Sequence, residues 1–162
     1  MPKLVKNAEV IENTISVLDK ESTLDAVTDN SLVPLALFLE NAEACLAFTN
    51  TGVWIDSDEG PEALESYLDK LDIIGVNFPK FADGRGYSYA RLLRERFAFK
   101  GEIRAVGDVL HDQLYYMSRC GFDAFAIRED KDADEAAKGL NDFSEAYQTG
   151  VDQPLPLFRR RA

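Results

Sequence analysis

The chain carries one histidine, one tryptophan and two cysteines in 162 residues, and each scarcity removes a class of chemistry. Cys45 and Cys120 lie far apart and form no CxxC, so spacing supports neither a disulfide framework nor a zinc or iron–sulfur site. Both are expected to be reduced and buried, as free cysteine packs like a small apolar residue. No GxGxxG follows a strand-like segment, which leaves no dinucleotide fingerprint, and no cofactor is expected. The longest apolar runs, such as Leu32 to Leu39, fall far short of the roughly 20 residues of a membrane span, and Met1-Pro2-Lys3-Leu4 opens no signal-peptide pattern. A cytoplasmic protein without a membrane partner is expected. Basic residues are also in the minority, 18 against 29 acidic for a net charge of −11. That balance argues against nucleic acid, whose phosphates demand concentrated Lys and Arg.

What is present suits one ordinary α/β domain, at 46% hydrophobic and 29% charged residues, long enough for one sizeable core. The charge is unevenly placed. Residues 1–77 hold four basic and 15 acidic side chains, residues 78–119 eight basic and five acidic, and residues 120–162 six basic and nine acidic. The middle third is the only positive part, and it reads either as a field for a small anion or acidic partner or as a solvated Arg-rich helix face.

Residues 1–20 read as a short β-ribbon with Leu4, Val5, Val10, Ile11, Ile15 and Val17 set between polar residues and a turn near Asn7-Ala8-Glu9. Residues 21–31 read as a polar loop, and Pro34 as the first turn of a helix reaching about Phe48. A βα rhythm follows. Val53-Trp54-Ile55, Ile73 to Phe78, Ile103 to Val106 and Phe122 to Ile127 read as four short buried strands. Between them lie a helix opened by Gly60-Pro61 with Ala63, Leu64, Tyr67, Leu68 and Leu71 on one face, a helix from Tyr87 to Phe97, and one that Asp108 can cap, ending at Cys120-Gly121. A last helix starts near Asp132 and lines its core face with Ala136, Leu140, Phe143 and Tyr147. Four parallel strands with right-handed crossovers give either an open doubly wound sheet or a half-barrel, with the N-terminal ribbon at its side.

In both architectures ligands bind at the carboxyl ends of the strands. The residues falling there are Asp56, Asp58, Lys80, Asp83, Arg85, Asp108, His111, Arg128, Glu129 and Asp130. Lys80, Asp83, Gly84, Arg85, Gly86 and Arg128 form the expected anion- or partner-binding set: two glycines flank an arginine at a helix start where packing gives no reason for them. An alternative is that Asp83 pairs with Arg85 or Lys80 and braces the loop. His111 and Asp108 are the candidate proton exchangers, Asp108 being otherwise a helix cap. Tyr87 and Tyr89 read as half-buried aromatics, and Trp54 as core. No metal site is expected. The stretch Gln153-Pro154-Leu155-Pro156-Leu157-Phe158-Arg159-Arg160-Arg161 reads as an extended tail that docks on a partner or folds back on the chain.

Four segments carry a resemblance: Phe78 to Ser88 (FPKFADGRGYS), Gly107 to Leu114 (GDVLHDQL), Cys120 to Phe125 (CGFDAF) and the Pro-Leu-Pro-Leu-Phe-Arg tail. They resemble a bacterial domain-of-unknown-function family that is encoded beside assimilatory sulfite reductase and often labelled a probable oxidoreductase of sulfite reduction. The likeness covers nearly the whole chain and is strongest from Ile74 to Arg160. It implies either an accessory protein that binds sulfite reductase or another sulfate-assimilation enzyme, or a small oxidoreductase or anion-binding enzyme acting on sulfite or a similar oxyanion. The resemblance supplies no catalytic residues.

Overall fold

The computed structural model describes residues 3–80 and 83–140. Its centre is one eight-stranded sheet: β1 (Lys3–Lys6), β2 (Glu9–Glu12), β3 (Ser16–Val17), β4 (Ser31–Pro34), β5 (Gly52–Ile55), β6 (Ile73–Phe78), β7 (Glu102–Gly107) and β8 (Ala124–Ile127). The strand order is β2-β1-β8-β7-β6-β5-β4-β3. Strands β3 to β8 are parallel, each beside its sequence neighbour, so six parallel strands replace the four expected. The two missed strands are β3, a two-residue edge strand, and β4, which occupies the apolar run assigned to a helix start. The N-terminal ribbon is present as β1–β2, turned by Asn7 and Ala8 at positive φ, and β1 joins the sheet antiparallel to β8. Ile15 and Val17, expected in the ribbon, lie beyond it.

Chain connectivity shows that the sheet is curled. β2 and β3 are its two outer strands, yet only residues 13–15 separate them. Eight strands laid flat would put those edges roughly 34 Å apart at about 4.8 Å per strand, whereas Glu12 to Ser16 can span at most about 14 Å. The result is a half-barrel whose open seam is bridged by three residues, and the open doubly wound alternative is excluded.

The helices are α1 (Leu35–Glu40), α2 (Ala42–Leu46), α3 (Arg85–Glu95), α4 (Leu114–Cys120) and α5 (Ala133–Gly139). The single helix expected from Pro34 to Phe48 is broken at Asn41, whose side chain donates back to the Leu37 carbonyl. Residues Pro61–Tyr67 form a 3₁₀ helix rather than an α-helix; its tighter winding buries Leu64 and leaves Ala63 exposed, against the face expected. α3 begins two residues earlier than expected. Gly121 ends α4 with φ 118°, and the Asp132 carboxylate caps α5 by accepting from the Asp134 and Glu135 amides. Phe143, Tyr147 and the tail 153–162 lie outside the described residues.

The pleat sorts side chains between two cores. Val33, Val53, Ile74 and Ile103 align across β4 to β7 and pack with Phe38, Leu64, Leu93 and Met117 on the helix side. The inner face holds a smaller cluster of Ile15, Leu32, Trp54, Ile73 and Val106. One transverse inner row reads Pro34, Trp54, Gly75, Arg104, Ala124, Lys6. Gly75 and Ala124 are small because their neighbours are large: a Cβ on Gly75 would lie 3.0 Å from Trp54 Cβ. Trp54, expected in the core, is 6% exposed and donates its indole N–H to the Leu18 carbonyl at 2.9 Å.

Candidate functional site at the carboxyl-end rim

The parallel strands deliver polar residues to one rim, where they form three knots, the first two joined through Ser57. The first is built on Asp56, directly after β5. Its carboxylate accepts from Asn77 Nδ2 at 3.0 Å and from the Ser57 amide at 2.9 Å, and lies 2.7 Å from Lys20 Nζ. Burial pushes the Asp56 carboxyl up, but the Lys20 and Asn77 hydrogen bonds outweigh it and hold it below the ordinary aspartate range. Asn77 reaches the rim because it stands on the inner face of β6, two residues after Gly75.

The second knot sits at the start of α3. Arg85 grips Asp83 with two parallel hydrogen bonds, Nε to Oδ1 at 3.1 Å and Nη2 to Oδ2 at 2.8 Å, and reaches Ser57 Oγ at 3.0 Å. The guanidinium beside Asp83 holds that carboxyl far below its usual value. Tyr89, one turn after Arg85, donates to the Ser57 carbonyl at 2.7 Å, and burial pushes its phenol up. The bracing ion pair is thus the arrangement adopted. Gly84 is the N-cap of α3 with room for a Cβ at ordinary contact with Tyr87, but Gly86 does have a packing reason, contrary to expectation: a Cβ there would lie 2.8 Å from Phe78 Cζ and 2.9 Å from Val76 Cγ1. The missing side chain lets the first turn of α3 sit directly on β6.

The third knot joins the ends of β7 and β8. Arg128 donates to Asp108 at 2.8 Å and takes Asp130 bidentately at 3.0 Å. The hydrogen bonds to Asp108 and Asp130 raise the Arg128 pKa above its ordinary value. Asp108 does not cap a helix: a 3₁₀ turn, His111–Gln113, intervenes before α4, with Leu110 at its N-cap. Two predicted residues stand apart from these knots. His111 and Lys80 are exposed, and their side chains make no hydrogen bond or ion pair among the described residues. Glu129 is exposed beside Arg128, and Asp58 lies 3.8 Å from Lys20.

The positive middle third persists only in part as a surface: Lys80, Arg96 and Lys100 are exposed, but other members are buried or paired. Arg94 is turned inward, donating to the carbonyls of Phe99, Gly101 and Gly121 and pairing with Asp123. Arg104 and Arg119 are buried, while Arg85 and Arg91 are paired with Asp83 and Glu95. Sequence reading missed Lys20, Ser57, Asn77 and Tyr89. Asn77 alone gave a signal, as a polar residue inside an apolar strand.

Among the described residues no three His, Cys, Asp or Glu side chains gather to hold a metal, and no helix is long and apolar enough to cross a membrane. Cys45 and Cys120 are buried and form no disulfide; burial pushes the Cys45 thiol up. Fold and rim therefore define an α/β half-barrel protein with an ion-paired loop surface at its strand carboxyl ends. The family model described as bacterial protein of unknown function (DUF934) matches residues 52–158, and the chain belongs to that family. No curated protein matches it.

Proposed function

We propose that this protein is an accessory component of assimilatory sulfite reduction, docking its carboxyl-end rim onto sulfite reductase or a related pathway enzyme. The pathway rests on the resemblance carried by Phe78 to Ser88, Gly107 to Leu114 and Cys120 to Phe125. The mode of action rests on one observation: Arg85 and Arg128, the rim arginines, are each bound by carboxylates of the same chain. A free oxyanion would have to displace a bidentate carboxylate at close range, whereas a protein partner can meet the knots as they stand and use the exposed Lys80 and His111. Asp108 as proton exchanger would likewise have to leave Arg128. These features support docking over turnover of sulfite by a small oxidoreductase.

The test is co-purification of the tagged full chain with assimilatory sulfite reductase, comparing the parent with Lys80→Glu and with Arg85→Ala. Both substitutions should weaken the complex, and the loss should steepen with salt. Retention of an undiminished complex by both variants removes the rim from the interface.

A further inference from the structure

The acidity of the N-terminal half is concentrated in one stretch. From Glu21 to Asp69 the chain has eleven Asp or Glu and no Lys, Arg or His. This stretch includes α1, α2 and the Pro61–Tyr67 3₁₀ helix, and Phe38 of α1 meets Tyr67 edge-on with ring centroids 5.1 Å apart, so these elements are neighbours outside the sheet. Asp56 and Asp58 are answered by Lys20, and Asp29 accepts from the Thr49 amide. Glu40, Glu43, Glu62 and Glu65 are exposed and pair with no cation among the described residues. Beside the carboxylates of α1 and α2 stand two large apolar side chains in water: Leu39 is 42% exposed and Phe48 37%.

Uncompensated carboxylates repel one another, and exposed Leu and Phe gain from being covered. The occupant that answers both is a segment joining apolar side chains to a run of cations. The chain contains one: Leu155, Leu157 and Phe158 lead directly into Arg159-Arg160-Arg161, its longest basic run. Fifteen peptide steps separate Leu140 from Leu155, and at about 3.3 Å each they span up to roughly 50 Å. Even with a helix continued to Tyr147 the reach is about 38 Å, against a radius of gyration of roughly 15 Å for a domain of this size. Pro154 and Pro156 restrict the backbone before docking, which lowers the entropy lost on it. We propose that residues 154–161 dock within the same molecule on the acidic face of α1 and α2, with Leu155 to Phe158 against Leu39 and Phe48 and the three arginines on Glu40 and Glu43. This contact uses no residue of the rim and is independent of any partner that docks there.

The test is photocross-linking of the full chain carrying p-benzoylphenylalanine in place of Phe48, with the linked peptides read by mass spectrometry. The expected product is a monomer in which position 48 is joined to residues 154–161. The same probe in place of Tyr116, which is 58% exposed on α4, should not capture that segment. Arg159→Glu, Arg160→Glu and Arg161→Glu together should cut the yield from position 48 about tenfold, the scale of three exposed ion pairs. Adding Glu40→Lys and Glu43→Lys to that variant should restore it, and since both glutamates are exposed their reversal leaves the core intact. A product that joins two chains and rises with protein concentration would assign the face to a second copy and overturn the proposal. So would a yield that the arginine reversal leaves undiminished, or the absence of any link from position 48 to residues 154–161.

Discussion

At the scale of the residue, the arginines show how little a charge count says about a surface. Arg94 has 14% of its side chain exposed and serves two carbonyls of the α3–β7 connection, the Gly121 carbonyl at the end of α4, and Asp123. Lysine has the charge but not the planar fork, so Arg94→Lys is expected to cost about 3 kcal/mol, read from the urea midpoint. A change under ~0.5 kcal/mol would mean that the fork is dispensable. Glu102 gives a pH signature. Burial raises its pKa, but Lys6 and Arg104 outweigh burial and set the folded value below the ordinary 4.5. Its contribution to stability is therefore complete above that ordinary value and fades as pH falls through the depressed one. Comparing urea midpoints at about pH 6 and pH 3, the parent should lose more stability than Glu102→Gln; parallel losses would contradict the assignment. None of this was legible in the sequence, because Arg94, Arg104 and Arg85 look alike until the pleat and the helix phase turn each one inward or outward.

At the scale of the element, legibility followed periodicity. Strands β5 to β8 were visible as apolar runs, and Gly121 and Asp132 marked real helix ends. Short or mixed elements were not: β3 has only Ser16 and Val17, and β4 shares its apolar run with α1. The 3₁₀ segment at Pro61–Tyr67 defeated an α-helical spacing. At the α3 entry, Gly84-Arg85-Gly86 suggested a ligand, while the structure gives Gly86 to the contact with Phe78. That contact is testable. Gly86→Ala places a methyl against a ring that is 1% exposed, and overpacking should destabilise by about 1–3 kcal/mol in urea unfolding. An unaffected midpoint would return the glycine to a functional explanation.

At the scale of the whole molecule, hydrophobic patterning announced parallel βα units but could not decide between a flat and a curled sheet. That decision lies in residues 13–15, whose brevity matters only once β2 and β3 are known to be opposite edges. Inserting three glycines after Thr14 doubles this bridge, and loop entropy alone would cost only about 0.6 kcal/mol. A larger fall in the denaturant midpoint is expected, together with readier acrylamide quenching of Trp54, because Ile15 and the Leu18 carbonyl would no longer be held against it. A midpoint shift confined to the entropic value, with Trp54 equally shielded, would show that the seam is not under geometric control.

The pairing of β1 with β8 also sets an order of events during synthesis. Lys3 lies opposite Ile127 and Lys6 opposite Ala124, so the hairpin, made before β8, has no place in the sheet until the eighth strand has followed it out. Until then its edge is an unpaired strand carrying Leu4 and Val5, open to any chaperone or neighbouring chain that reaches it. The β1–β2 hairpin can therefore take its place in the half-barrel only after β8 has been made.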